Sequence, residues 1–88
     1  MTAPPPNVPD RLVDSVMEAM IMRGFDVYAR LRDREGSAVL RVHGDAEWTN
    51  KIAVAEAARI AASFPTVAIA VVRKVGTGDL EFRVRGRG

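Results

Sequence analysis

Residues 25–42 read FDVYARLRDREGSAVLRV, and their spacing decides the fold. Phe25, Val27, Ala29 and Leu31 alternate with Asp26, Tyr28, Arg30 and Arg32, the period-two pattern of a strand with one buried face. Asp33-Arg34-Glu35-Gly36 follows as a tight turn. Ala38, Leu40 and Val42 then alternate with Val39, Arg41 and His43, so the stretch is a β-hairpin whose apolar rows meet one core.

Upstream, the apolar period lengthens to that of a helix. Leu12, Val13, Val16, Met17, Met20 and Ile21 gather on one side at 100° per residue, with Arg11, Asp14, Ser15 and Glu18 on the other. Asp10 is the expected N-terminal cap, and Gly24 the left-handed residue that closes the helix. Of Met17, Met20 and Met22, two lie on the apolar stripe, which favours core packing over an adaptable binding groove. Residues 1–9 carry prolines at positions 4, 5, 6 and 9 and read as a mobile leader. Deleting Met1 to Val8 is therefore expected to change stability by less than about 0.5 kcal/mol. Pro6-Asn7-Val8-Pro9 has the PxxP spacing of a peptide ligand, a pattern common by chance.

Downstream, Gly44-Asp45 is expected to cap a second helix that runs to about Phe64 and stops at Pro65. Its apolar residues form two sides: Ala53, Val54, Ala57, Ile60, Ala61 and Phe64 on one, Trp48, Ile52, Ala55 and Ala62 nearly opposite. Two sides imply two packing partners. Thr66 to Val75 is almost unbroken in apolar character, which predicts a central strand. After the turn Gly76-Thr77-Gly78-Asp79, Leu80, Phe82 and Val84 alternate with Glu81, Arg83 and Arg85, and residues 86–88 form a frayed basic end. The order αββαββ predicts one α+β domain over residues 10–85, a two-layer sandwich. Its four-stranded, mostly antiparallel sheet carries both helices on one face. A ferredoxin-like βαββαβ unit with its first strand moved to the end has this order.

Composition narrows function. Eighty-eight residues suit a single small core. With no cysteine there is no disulfide framework or thiolate chemistry, and with His43 alone no histidine-pair metal site. The longest uncharged run, Ile60 to Val72, has 13 residues and is too short for a bilayer span. No charged-then-apolar segment opens the chain, so a cytoplasmic location is expected. Eleven arginines against two lysines fit a GC-rich genome, such as that of an actinobacterium or one of its phages.

The strands are basic: residues 66–88 carry a net +3 and residues 1–24 a net −1. If both helices cover one face, strand parity projects Tyr28, Arg30, Arg32, Val39, Arg41, His43, Glu81, Arg83 and Arg85 from the other. Arginines meet phosphates and an aromatic ring stacks on a base, so this surface fits nucleic acid. Such platforms commonly offer two or three rings, and this one offers only Tyr28, since Phe25 and Phe82 have core parity. The second candidate surface is the helix stripe Trp48-Ile52-Ala55, suited to a protein partner unless the first helix covers it. His43 reads as a surface histidine rather than a general base, Asp26 and Glu81 as charge-paired, and Gly76-Thr77-Gly78 as a turn rather than a phosphate loop. The expectation is a non-enzymatic protein without metal, cofactor or small-molecule substrate. It acts by protein–protein recognition or self-association, with nucleic-acid binding as the alternative.

Overall fold

In the computed structural model, which describes residues 8–43, 50–73 and 79–87, the first helix, α1, spans Asp10–Met22. Its N-cap is Pro9, whose carbonyl accepts from the amides of Leu12 and Val13 at 3.0 and 3.1 Å. Asp10 is the first helical residue, not the cap, and among the described residues no side-chain hydrogen bond caps this end. The other end closes as its sequence indicates. The Gly24 amide donates to the Ile21 carbonyl and the Phe25 amide to that of Met20, at 3.0 and 3.1 Å. This Schellman pair requires the left-handed Gly24, found at φ 91°.

The hairpin follows as β1 (Val27–Arg32) and β2 (Ala38–Val42). Between them the Asp33 carboxylate accepts from the amides of Glu35 and Ser37, both at 2.9 Å, and Gly36 takes φ 85°. Then come α2 (Asn50–Ala62), β3 (Val67–Arg73) and β4 (Leu80–Gly86). The sheet order is β1-β2-β4-β3 and every pairing is antiparallel. The fold is thus the expected α+β class in αββαββ order, and moving the first strand of a ferredoxin-like unit to its end generates this strand order.

Both helices lie on one face. Val13, Val16 and Met20 of α1 and Ala53, Ala57 and Ile60 of α2 share one buried cluster with Leu40, Val42, Val67, Leu80, Phe82 and Val84. At its centre Phe25 meets Phe82 edge to face, with ring centroids 5.1 Å apart, the offset geometry that aromatic quadrupoles favour. Met20 is fully buried and Met17 packs against the core, whereas Met22 is exposed. On α2 the expected core side holds for Ala53, Ala57 and Ile60, but Val54 is exposed.

Three expectations are corrected. Gly86 is the last residue of β4, opposite Val67, and the Arg87 amide donates to the Thr66 carbonyl at 2.8 Å, so these two residues belong to the sheet rather than to a frayed end. The apolar run over β3 is an edge strand, not a central one. An unbroken apolar run reports two non-polar faces, here α2 on one side and the small Ala68 and Ala70 on the other, and is silent about neighbouring strands. Residues 8 and 9 belong to the domain rather than to a leader: Val8 is 1 % exposed within the core cluster. The expected Asp45 cap, Trp48, the turn over Gly76-Thr77-Gly78 and residues 1–7 lie outside the described residues.

The anchored Val8 reverses the expectation for the N-terminus. Val8→Ala removes two buried methyl equivalents and is expected to destabilise by about 1.5–2.5 kcal/mol in urea unfolding. Val54→Ala, on an exposed helix flank, is expected to stay within about 0.5 kcal/mol.

Candidate interaction surface

One irregularity arranges the charged residues. The pairing of β1 with β2 shifts between Val27 and Ala29, so Val27 faces Val42, Ala29 faces Arg41, and Tyr28 is the extra residue of a β-bulge. Side chains alternate along a strand, and one added residue exchanges the faces of everything beyond it. Arg30 and Arg32 therefore pair with the core-facing Leu40 and Ala38, and Ala29 and Leu31 move to the helix-free side.

On the helix side the two arginines find carboxylates in the first turns of α1. Arg30 donates to Asp14 and, at 3.3 Å, to Asp10, while Arg32 donates to Asp10 at 2.7 Å and to the Gly36 carbonyl at 2.9 Å. The hydrogen bond from Arg32, and then its charge, hold the Asp10 carboxyl below the usual carboxylate range. The Asp14 hydrogen bond raises the Arg30 guanidinium above its ordinary value. Arg30 and Arg32 consequently do not join the open face where strand alternation alone puts them.

The open face holds the remaining seven expected residues, Tyr28, Val39, Arg41, His43, Glu81, Arg83 and Arg85, of which Val39 and Glu81 are buried. Cross-strand pairing sets Leu31 beside Val39, Val39 beside Arg83, and Arg83 beside Ala70. The neighbouring row runs from Ala29 through Arg41 to Glu81. Glu81 is the hub of this surface: it is 5 % exposed, with the Arg83 Nε at 3.3 Å and the Arg41 Nε at 3.5 Å. The Arg83 contact is a hydrogen bond, whereas the Arg41 Nε lies at ion-pair distance without hydrogen-bond geometry and has no hydrogen-bond partner among the described residues. Arg85 reaches Glu35 at 4.0 Å. Glu81 was visible in the sequence as a charge-paired residue.

At the end of the face, Tyr28 stacks on His43 with centroids 4.2 Å apart and donates its hydroxyl to Asp79 at 2.9 Å. The His43 Nδ1 is 3.7 Å from the same carboxylate. Hydrogen bonding to Asp79, followed by desolvation, pushes the Tyr28 phenol above its ordinary value. Strand alternation gave no sign of Asp79, which the sequence places in a turn. On the other candidate surface, Ile52 is 45 % exposed and Ala55 is exposed, so α1 does not cover them, while Trp48 lies outside the described residues. Among the described residues no group of three or more His, Asp or Glu side chains is placed to hold a metal ion, and no helix is long and apolar enough to cross a membrane. Compared with family models, with curated proteins and with solved structures, the chain matches none.

Two titrations check this geometry. Asp10 is more acidic folded than unfolded, so its contribution to stability is present above the usual carboxylate range and is lost as pH falls through the folded value. Asp10→Asn is therefore expected to flatten the loss of stability between roughly pH 5 and pH 2, read by denaturant unfolding at each pH. Tyr28 carries the only phenol, and its ultraviolet titration is expected above the ordinary tyrosine range. Asp79→Asn removes the charge that opposes phenolate formation and is expected to bring the transition back down.

Proposed function

We propose that this domain is a non-enzymatic recognition module whose partner is protein rather than nucleic acid. One observation carries the reading: every arginine expected to meet phosphates sits against a carboxylate of its own chain. Arg30 and Arg32 are held by Asp14 and Asp10, Arg41 and Arg83 share Glu81, and Arg85 faces Glu35. On the open face the cations Arg41, Arg83 and Arg85 are matched by Asp79, Glu81 and Glu35. A surface with this balance supplies little of the counterion release that drives nucleic-acid affinity. The single tyrosine has one ring face taken by His43 and its hydroxyl taken by Asp79. What the face offers instead is apolar surface at Leu31, Ala68 and Ala70 bordered by oriented ion pairs, a mixture typical of protein interfaces.

Titration with single- and double-stranded DNA and RNA at low salt tests this. Wild-type protein is expected to show no binding, whereas five free arginines would give a log–log salt slope of roughly −3.5 to −4.5. The double variant Glu35→Gln, Glu81→Gln releases three arginines and is expected to acquire weak binding with a slope of roughly −2 to −3. Wild-type binding with the steep slope, weakened by single Arg→Ala changes at 41, 83 and 85, would overturn the proposal in favour of nucleic acid.

A further inference from the structure

The two edges of the sheet differ. β1 carries the bulge at Tyr28 and two ion-paired arginines, devices that keep an edge from pairing with another chain. β3 has no bulge: Val67–Arg73 runs in unbroken register with β4, contains no proline or glycine, and carries no charged residue over Val67–Val72. The Arg87 amide donates to the Thr66 carbonyl at 2.8 Å, which fixes the alternation. Residues 66, 68, 70 and 72 turn their amides and carbonyls toward β4, and residues 67, 69, 71 and 73 turn theirs outward. The Val67 amide is used by the Phe64 carbonyl. Ile69 and Val71 are left with outward donors and acceptors that meet no strand among the described residues.

Above this edge the flank of α2 is apolar and slim. Val54 is 54 % exposed, and Ala58 and Ala61 follow at helical spacing. Ala58, Ala61, Pro65, Ala68 and Ile69, with the charged Arg87 beside them, line a shallow cleft of about 470 Å³ between the helix and the edge strand. Edge and flank run side by side, so an occupant must satisfy both.

We infer that the occupant is a second copy of this chain, joined through β3 about a two-fold axis at Ala70. This rests on the protein-recognition reading and names the partner. Antiparallel pairing centred on Ala70 sets Ile69 against Val71 of the other copy on the helix side, a β-branched cross-strand pair. The two sheets become one of eight strands, and the same rotation brings the two α2 flanks together, antiparallel. Alanines at the contact let the helices approach at the roughly 8 Å end of helix-packing distances, which keeps pace with strand pairing at about 4.8 Å below. Seven strand residues make the joint about 23 Å long, and one strand plus one helix make it about 15 Å deep. The two faces together measure roughly 700 Å², the size of a weak, concentration-dependent interface. A lone extended peptide would pair the edge but leave the helix flank bare. A second copy covers both layers.

Sedimentation analysis up to about 1 mM, with amide exchange followed by NMR, tests the inference. The expected result is a concentration-dependent dimer in which the Ile69 and Val71 amides gain protection as the dimer forms. Ala58→Glu places a charge in the helix contact. Ala70→Glu sets a carboxylate against its own mate on the dyad, while in the monomer it gains Arg83 as a cross-strand neighbour. Each is expected to weaken the dimer at least about tenfold with unchanged monomer circular dichroism. If either variant misfolds, exchange at Ile69 and Val71 in the wild type still decides. A monomer at every concentration overturns the inference, as does a dimer in which those two amides stay unprotected. Neither result touches the recognition reading, which falls instead to steep, salt-sensitive nucleic-acid binding.

Discussion

A single extra residue in an edge strand sets the chemistry of both faces of this sheet. With Tyr28 bulged out of register, Arg30 and Arg32 turn toward α1 and Leu31 turns toward solvent. Without it, two arginines would stand on the open face and Leu31 would have to fit beneath the helices. The bulge works because β1 is at the sheet margin, where α1 presents Asp10 and Asp14 rather than its apolar stripe. The guanidinium groups stay half-exposed, so desolvation is modest while their hydrogen bonds fix the approach of α1 to the hairpin.

Charge on the open face follows a matching logic. Net charge is only +2, but the relevant property is how closely each cation is matched. Glu81 lies between arginines from two strands, and Asp79 is shared by a phenol and an imidazole. Individual exposed pairs add little to stability, a few tenths to about 1 kcal/mol. Their larger effect is on recognition, because oriented pairs of opposite sign favour partners with a complementary pattern over a uniformly anionic polymer. The apolar side chains of Leu31, Ala68 and Ala70 then contribute contact area among groups whose orientation is already set.

The edges show the same economy. One margin is blunted by the bulge and its arginines, and the other is left straight, small in side-chain size and free of charge over Val67–Val71. Small residues in both layers of that margin, Ala58 and Ala61 above and Ala68 and Ala70 within the strand, keep the backbone approachable. Among the described residues, this asymmetry leaves outward main-chain donors and acceptors at Ile69 and Val71.

Much of this was legible in the chain. The period of Leu12 to Ile21 and the Gly24-Phe25 closure defined α1, the Asp33–Gly36 turn defined the hairpin, and the parity of Phe25 and Phe82 placed them in the core. Element order led to the αββαββ architecture. These features depend on residues within one or two turns of each other, so local periodicity reports them. Seven of the nine sheet-face residues came out where alternation puts them: those in and beside β2 and β4 because these strands pair without interruption, and Tyr28 because it stands at the bulge, before the faces exchange. Arg30 and Arg32 did not, because alternation assumes an unbroken register and only pairing with β2 reveals the bulge. Asp10 looked like a cap because local rules cannot see Arg32, 22 positions away. Val8 looked mobile because its burial is conferred by elements that follow it. β3 looked central because composition records what covers a strand's faces, whereas its position in the sheet depends on which strand lies beside it. Sequence alone therefore determined the elements and their buried sides; tertiary structure decided the edges, the register and the charge partners, since each requires two distant segments to meet.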